Sequence, residues 1–265
     1  MGIIEDEVTI IITVKNEVKN LPTLMQSLLE NDVSANIIVV DSESDDGTEN
    51  FMTDLSSRNQ NIRYIRKKCS RGQGRNIGVN KSISKYVLFT DGDAVPNKNW
   101  IGNMVSVLRN HDLVVGSTLS YEGSGTSTLP RIALYFKNFE ITLPSMNLGM
   151  KRDLFMKLGG FDESFVTAED IDLNLRAIIS GATWVICNNC IVRHRSREGT
   201  SGLLKQAFWN GYGRRQLMNK NRKIWNDVYM GKITRKEITF PWIIRNIGGL
   251  MGYIYCFIRK IDFTS

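Results

Sequence analysis

The 265-residue sequence has few cysteines, prolines and histidines: four, five and two, respectively. Four irregularly spaced cysteines exclude the disulfide scaffold of a small secreted domain and favour a reducing compartment. Cys187 and Cys190 form one C-x-x-C pair, but the sequence has no second pair at the spacing that a structural zinc site requires. We therefore interpret this pair as two small residues around a strand turn.

Targeting signals and long apolar runs are also lacking. Residues 1–7 are acidic and have no hydrophobic signal core, and Asp6 breaks the N-myristoylation pattern at Gly2. The apolar stretch 247–258 is shorter than the about 20 residues that a membrane-spanning helix needs. We therefore expect a cytoplasmic protein that is bound peripherally to the inner face of the cell membrane.

The net charge of +7 is unevenly distributed. Residues 1–200 contain 22 basic and 24 acidic side chains, whereas residues 201–265 contain 12 basic and three acidic ones. The body therefore carries −2 and the C-terminal segment +9. Because the basic residues avoid the body, and no RNA-binding motif is present, we expect no nucleic acid partner.

Strand-like and helix-like patterns alternate over the first 120 residues. Apolar β-branched runs are followed by segments whose apolar residues recur three and four positions apart. The predicted strands are 8–14, 37–40, 62–65, 86–90 and 113–118, and the predicted helices begin near residues 20, 45, 73 and 97. This alternation predicts a parallel α/β sheet with helices on both faces, and ligands in such sheets bind beyond the carboxyl ends of the strands.

The second half of the chain is less regular. Its composition predicts a loop over 121–128, a helix near 168–179, and strands near 184–187 and 190–194. The glycines of 72–78 miss the dinucleotide-binding pattern, and Lys81-Ser82 lacks the glycine-rich loop of a P-loop. A dinucleotide-binding dehydrogenase and a P-loop NTPase are therefore not expected.

Polar clusters follow three of the predicted strands, at 15–17, 41–48 and 91–93. Asp91 and Asp93 are two residues apart at a strand end, so both carboxylates can face one side. Such a D-x-D motif is either a solvated turn or a site for a divalent cation with a diphosphate, since hard cations take carboxylate and phosphate oxygens together. The neighbouring clusters favour the second interpretation.

The sequence resembles the family 2 glycosyltransferases of the GT-A fold over about residues 8–195. The resemblance is carried, in order, by IITVKNE (11–17), VVDSESDDGT (39–48), RGQGRNIGV (71–79), LFTDGDAVP (88–96), LGGFDESFVTAEDIDLNLR (158–176) and His194. It implies a Rossmann-like α/β/α sandwich with a mixed, mostly parallel sheet. We expect this catalytic domain over 1–200 and a helical amphipathic appendage over 201–265.

The resemblance also implies roles for residues on the donor side. The donor would be a nucleotide-diphosphate sugar, with a UDP-sugar as the first expectation. The implied nucleotide-binding residues are Val14, Asn16, Glu17, Asp41, Arg71, Arg75, Asp91 and Gly92. Mn²⁺ or Mg²⁺ would be held by Asp93, with Asp91 and His194 as further metal contacts.

Asp170 is the implied catalytic base, as the second acid of the E-D motif. An inverting transfer needs one carboxylate that deprotonates the acceptor hydroxyl. The same residues also fit the acidic N-terminus of a helix with Thr167 as its N-cap, and Glu169 or Asp172 are alternative bases. The resemblance places Asn147, Gly149 and Glu169 on the acceptor or diphosphate side.

The basic C-terminal segment mixes aromatic residues with cations, which favours a membrane interface. It could instead pack on the catalytic domain or on a second subunit, and Gly248 and Gly252 form a weak G-x-x-x-G signal for a homodimer. Part of it resembles membrane-associated family 2 enzymes that extend lipid-linked saccharides. Arg214 and Arg215 would then bind an acceptor diphosphate.

These observations together predict an inverting, metal-dependent glycosyltransferase. Its acceptor would be a hydroxyl of a polyprenyl-diphosphate-linked saccharide in glycan or polysaccharide assembly. A polyprenyl-phosphate monoglycosyltransferase is the alternative, and its anionic acceptor would need no base. A basic RNA-binding protein and an inactive nucleotide-sugar-binding module are more distant alternatives.

Overall fold

Residues 7–120, 132–194, 200–231 and 239–259 are described in a computed structural model of the chain. They divide into two units. The described part of the first unit consists of 7–119, 144–161 and 179–194, and that of the second consists of 120, 132–143, 162–178, 200–231 and 239–259. The predicted loop at 121–128 lies outside the described residues.

Helices and strands alternate from the start of the described chain, as predicted. The helices are α1 (Leu21–Leu29), α2 (Thr48–Arg58), α3 (Arg71–Lys81), α4 (Trp100–Leu108), α5 (Arg152–Lys157), α6 (Glu169–Ile179), α7 (Thr200–Lys220) and α8 (Phe240–Ile258). The strands are β1 (Val8–Val14), β2 (Asn36–Asp41), β3 (Ile62–Arg66), β4 (Tyr86–Asp91), β5 (Ala94–Pro96), β6 (Leu113–Ser120), β7 (Leu134–Phe136), β8 (Phe139–Glu140), β9 (Leu148–Lys151), β10 (Trp184–His194) and β11 (Tyr229–Met230).

The first unit is built on an eight-stranded mixed sheet in the order β3-β2-β1-β4-β9-β6-β10-β5. Strands β3, β2, β1 and β4 are parallel to one another. Strand β9 runs antiparallel to both of its neighbours, β4 and β6. The second unit contains a three-stranded antiparallel sheet in the order β11-β7-β8. The predicted mixed, mostly parallel architecture is confirmed.

Side chains of β1 show why helices cover both faces of this sheet. Successive residues of a strand point to opposite faces. Ile10 and Ile12 join a core cluster with residues of α1 and α4, whereas Ile11 faces α3. A Cβ atom on Gly78 of α3 would lie 2.5 Å from Ile11 Cγ2. The glycines that nearly matched a nucleotide-binding pattern therefore serve the close approach of helix and strand.

Two predicted helix starts need correction. Helix α4 is preceded by Asn99 rather than Asn97, and Asn99 makes no side-chain capping bond. Helix α6 begins at Glu169, and the Ala168 carbonyl accepts the hydrogen bond from Asp172 N, so Thr167 is not the N-cap. Apolar periodicity locates a helix but leaves its first residue open by one or two positions.

The region of Cys187 and Cys190 also differs from the prediction. The two predicted strands are one strand, β10, and the two cysteines form a disulfide within it. Their Cα atoms are 5.3 Å apart, the separation of a turn, so the chain contracts locally between them. The two side chains are therefore covalently joined, which the interpretation as two small residues around a strand turn did not include.

Candidate active site

Strand register brings the predicted donor-binding clusters together. In the parallel pairing, Val14 of β1 is the partner of Asp41 on β2, and Thr13 is the partner of Asp91 on β4. The carboxyl ends of three neighbouring strands thus lie side by side. This edge of the sheet carries the acidic residues that the sequence singled out.

The turn after β1 is fixed by hydrogen bonds to the segment after β2. Asn16 has a left-handed backbone (φ +59°), and its N–H donates to Ser44 Oγ at 2.8 Å. The Asn16 side-chain oxygen accepts from Asp45 N at 3.0 Å, and Glu17 N donates to Thr48 Oγ1 at 3.1 Å. The two polar clusters therefore form one ordered platform.

Asp41 is fully buried at this platform. Its Oδ1 accepts from the N–H and hydroxyl of Ser44, at 3.0 and 2.6 Å, and its Oδ2 accepts from the Tyr64 hydroxyl at 2.5 Å. Burial, together with the bond to Asp41, raises the pKa of Tyr64. Asp41 thus organises the turn, and its contact with a nucleotide base stays a prediction.

The two arginines expected near the nucleotide lie in different surroundings. Arg71 is exposed at the start of α3. The Arg75 side chain is only 2% exposed; its Nη2 lies 2.8 Å from Asp91 Oδ1, and its guanidinium is 5.3 Å from the Phe161 ring centroid. Arg75 therefore fixes the first carboxylate of the D-x-D motif.

Gly92 lies between the two aspartates where space is limited. A Cβ atom there would come within 3.0 Å of both Glu17 Cγ and Val14 Cγ1. The predicted Val14–Glu17 lining and the D-x-D turn are thus in close contact. A Cβ atom at this position would require the Glu17 or Val14 side chain to shift by a few tenths of an ångström.

Asp93 is brought to His194 by a short antiparallel pairing. Strand β5 pairs with the end of β10, with Ala94 opposite His194, and the Asp93 Oδ2–His194 Nε2 distance is 3.2 Å. Within the described ranges, no three His, Cys, Asp or Glu side chains are grouped as a metal site. Mg²⁺ commonly takes only one or two carboxylates plus substrate phosphates, so Asp93 and His194 fit such a partial ligand set.

Asn147 and Gly149 lie in the interior of the first unit, and their acceptor role stays a prediction. Asn147 is fully buried. Its side chain accepts a hydrogen bond from Trp100 Nε1 at 2.8 Å and donates to the carbonyl oxygens of Ser117 and Cys190. Gly149 lies in β9, where a Cβ atom would come within 2.8 Å of the Leu88 side chain. Both residues serve packing.

The three acids at the start of α6 belong to the second unit and differ in burial. Glu169 is 4% exposed and Asp172 is fully buried, whereas Asp170 is partly exposed. Asp172 is paired with Arg176 and Lys220. Of the three alternatives for a base, Asp170 is the one that is partly exposed, and its Oδ1 accepts a hydrogen bond from Ile171 N at 2.9 Å.

Arg214 and Arg215 take part in the packing of the second unit. Arg215 Nη1 donates to the Tyr253 hydroxyl at 2.7 Å, and its guanidinium lies 4.8 Å from the Phe257 ring centroid. Arg215 thus packs against α8, and its diphosphate role stays a prediction. Arg214 Nη2 donates to the Ile132 carbonyl at 2.7 Å, and burial, with the nearby charge of Arg245, lowers the pKa of Arg214.

Helices α7 and α8 pack against each other through glycine. A Cβ atom on Gly252 would overlap the Phe208 carbonyl, and one on Gly211 would overlap the Gly249 carbonyl. The G-x-x-x-G pattern is therefore used within the chain. Other α8 side chains are large, apolar and exposed: Phe240, Ile243, Ile247, Leu250, Met251, Ile254, Tyr255, Phe257 and Ile258. Among the described helices, none combines the length and apolarity needed to cross a membrane.

The chain belongs to glycosyl transferase family 2, whose profile matches residues 9–161, more than half of its length. It is therefore a glycosyltransferase. The glycosyltransferase AglE of Haloferax volcanii is 25% identical over 231 residues, covering 81% of this chain and 75% of the relative. The O-antigen chain rhamnosyltransferase WbaN of Salmonella anatum is 28% identical over 244 residues, covering 84% and 69%.

The fold is shared with solved glycosyltransferase structures of the GT-A type. One is the mannosyltransferase PcManGT from Pyrobaculum calidifontis in complex with GDP-Man and Mn²⁺. Its TM-score is 0.66 at 15% identity, over 98% of this chain and 76% of that chain. The likeness confirms the predicted fold class.

Sequence reasoning missed three residues that shape the site. Ser44 and Tyr64 hold the Asp41 carboxylate, and Lys220 pairs with the buried Asp172. Ser44 lies inside a recognised motif, three residues after Asp41, where local hydrogen bonds to a carboxylate are common, so this spacing was a usable signal. Tyr64 and Lys220 carry no local signal, because each meets its partner only through the fold.

Proposed function

We propose that this glycosyltransferase transfers a sugar, with inversion, from a nucleotide-diphosphate sugar to a hydroxyl of a lipid-linked saccharide. The observation that carries the proposal is the convergence of Asp41, Asp91 and Asp93 at adjoining strand ends, with His194 brought beside Asp93. Mannosyltransferase PcManGT, which shares the fold, holds GDP-Man, and this supports a sugar nucleotide as donor. A UDP-sugar remains our first choice.

On the donor side, Arg75 holds Asp91 in place for the ribose, while Arg71 and the Val14–Glu17 turn line the nucleotide. Asp93 and His194 would hold Mn²⁺ or Mg²⁺ together with the donor diphosphate. The bound cation would supply positive charge to the diphosphate as it leaves. The Mn²⁺ in PcManGT supports this assignment.

On the acceptor side, Asp170 takes the proton from the attacking hydroxyl. Its partial exposure and its position in the E-D motif support this role over Glu169 and Asp172. The reaction needs no covalent enzyme intermediate, since one displacement inverts the anomeric carbon. A general base of this kind contributes about 10²- to 10⁴-fold to the rate.

The proposed acceptor is a polyprenyl-diphosphate-linked saccharide at the inner face of the cell membrane. The relative WbaN is named for building an O-antigen chain, and this supports a growing glycan as acceptor. The exposed apolar side chains of α8 and the net +9 of residues 201–265 support docking on an anionic lipid surface. The alternative is that a second copy of the chain covers this surface.

A thermal-shift screen of nucleotide sugars with Mn²⁺ or Mg²⁺ tests the donor assignment. We expect a nucleoside diphosphate sugar to raise the Tm only with the metal, and Asp93→Ala to abolish that metal-dependent rise. Asp170→Asn should keep the rise but lower transfer to a sugar hydroxyl by about 100-fold or more. If no nucleoside diphosphate stabilises the protein, the proposal is wrong; a fully active Asp170→Asn enzyme would remove the base assignment.

A further inference from the structure

A buried ionic network holds the start of α6 to the end of α7. Asp172 is fully buried, and its Oδ2 accepts from Arg176 Nε at 2.7 Å. Its Oδ1 lies 2.8 Å from Lys220 Nζ, at the last residue of α7. A buried carboxylate is strongly unfavourable unless it is paired and hydrogen-bonded. Lys220 therefore compensates a buried charge two residues from Asp170.

The same lysine also holds the segment that leads into α6. Lys220 Nζ lies 2.6 Å from Asp162 Oδ2 and 5.4 Å from the Phe165 ring centroid. Asp162 Oδ1 in turn accepts from the N–H and hydroxyl of Ser164. Burial alone would raise the pKa of Asp162, but the hydrogen bonds from Lys220 and Ser164 outweigh it and lower the pKa to about 2. This ion pair is therefore well formed at neutral pH.

Two further residues on this face of α7 contact the segment. Gln216, one helical turn before the lysine, donates from Nε2 to the Ser164 carbonyl at 3.3 Å and accepts from Val166 N at 3.4 Å. A Cβ atom on Gly213 would lie 2.6 Å from the Thr167 carbonyl oxygen. Helix α7 thus follows the segment closely up to the start of α6.

The backbone at that point is in an uncommon conformation. Ala168 has φ +69°, a region that non-glycine residues rarely adopt and that neighbouring contacts must hold. Its carbonyl accepts the hydrogen bond from Asp172 N at 3.1 Å. Glu169 and Asp170 follow immediately. The direction of the Asp170 side chain therefore depends on the contacts that hold this turn.

We propose that Lys220 is a positioning residue for Asp170. By pairing with both Asp172 and Asp162, Lys220 holds in place the turn from which Asp170 projects. The proposal rests on the base role given to Asp170 above. It makes the C-terminal segment part of the catalytic apparatus, besides any contact with lipid.

Lys220→Met tests the proposal, with Lys220→Arg as the conservative variant and Lys223→Met as the control. Lys223 is an exposed lysine three residues further on, so its loss removes the same charge. We expect Lys220→Met to lower kcat by about 10- to 100-fold, because a displacement of about 1 Å at a reacting group has an effect of this size. The donor KM should stay within about threefold. Lys220→Arg should restore most of kcat, and Lys223→Met should match the unmodified enzyme.

A purely structural role would give a different result. In that case the loss of activity would follow the loss of folded protein, measured by circular dichroism at the assay temperature, and that result would overturn the proposal. If Lys220 acts through Asp170, adding Lys220→Met to Asp170→Asn should lower kcat little further. Fully additive losses of kcat in the double variant would contradict the proposal. If Asp170→Asn is fully active, both the base assignment and this inference are wrong. If Asp170→Asn is inactive but Lys220→Met is fully active, only this inference is wrong.

Discussion

At the residue scale, the two arginines of α3 belong to one motif but have different roles. Arg75 is buried against Asp91 and Phe161, whereas Arg71 is exposed at the first position of the same helix. A buried guanidinium bonded to a carboxylate sets the position of that carboxylate. Arg71 lies at a helix N-terminus, where backbone N–H groups favour a phosphate.

Arg75→Met should lower the free energy of unfolding by about 2 kcal/mol, because hydrogen bonds to charged groups contribute about 1.5–3 kcal/mol. It should also weaken donor binding, since Asp91 loses the ion pair that holds its carboxylate in position. Urea unfolding and thermal shift with donor measure the two effects separately.

Arg71→Met is the matched comparison for that experiment. Its exposed side chain predicts a change in stability within about 0.5 kcal/mol. Donor affinity should nevertheless fall. Equal losses of stability in Arg75→Met and Arg71→Met would contradict the different roles given to these two arginines.

At the element scale, α7 and α8 form a close helix pair because glycines replace side chains at their contact. Gly252→Leu places a side chain where the Phe208 carbonyl lies. Overpacking of this kind lowers stability by about 1–3 kcal/mol. Thermal unfolding should show a lower Tm for this variant.

Gly202→Ala in α7 is the control for the helix pair, since no heavy atom lies within 4 Å of a Cβ atom built there. Alanine is favoured over glycine in a helix by up to about 1 kcal/mol, so this variant should be slightly stabilised. A stable Gly252→Leu variant would show that the helix pair tolerates a wider separation.

The exposed side of α8 predicts binding to anionic lipid. Leu250 is 60% exposed there, so Leu250→Glu should not disturb the fold. Burying a leucine side chain contributes about 1.5–3 kcal/mol, and its replacement by a charge should weaken binding about 10-fold or more. Sedimentation with phosphatidylglycerol vesicles measures the change.

Ile83→Glu is the control for vesicle binding, because Ile83 is 94% exposed in the first unit, outside the C-terminal segment. It should bind vesicles like the unmodified protein. If Leu250→Glu leaves vesicle binding unchanged but converts a dimer to a monomer in light scattering, a second copy of the chain covers α8. The lipid assignment would then be wrong.

At the scale of the whole molecule, the predicted domain boundary at residue 200 stays a prediction. The second compact unit includes 162–178, with the proposed base, together with α7 and α8. Contacts of Gly213, Gln216 and Lys220 with the segment before α6 explain why these parts belong to one unit.

Acid stability should depend on two ion pairs, one in each unit. The hydrogen bond from Lys151 lowers the pKa of Asp112 to about 2 against the effect of burial, and Asp162 is lowered to a similar value. Because both folded pKa values lie below the ordinary 3.8, each pair stabilises the fold above about pH 4 and loses its effect as the pH falls towards 2.

Because solvent screens these partly exposed pairs, we expect the free energy of unfolding to fall by about 0.5–1 kcal/mol per pair between pH 5 and pH 2. Lys151→Met should reduce this dependence, since Asp112 would titrate closer to its ordinary value. Urea titrations at several pH values measure it. An identical pH dependence in both proteins would contradict the contribution of the Asp112–Lys151 pair.

The sequence alone determined the alternation of strands and helices and the acidic ends of β1, β2 and β4. These features are local: apolar periodicity sets the elements, and the carboxyl ends of parallel strands meet at one edge. The same local patterns identified Asp41, Asp91 and Asp93 as candidates. The sequence could not show that Asn147 and Gly149 are buried, because buried and exposed residues can share one motif.

Tertiary structure alone decided which groups meet. The family resemblance had already grouped Asp93 with His194, whereas the pair Asp172–Lys220 joins residues far apart in the chain that only helix packing brings together. Burial likewise separated Arg75 from Arg71 and Asp170 from Asp172. The physical reason is that ion pairing and exposure depend on what surrounds a side chain in space, and local sequence constrains that only weakly.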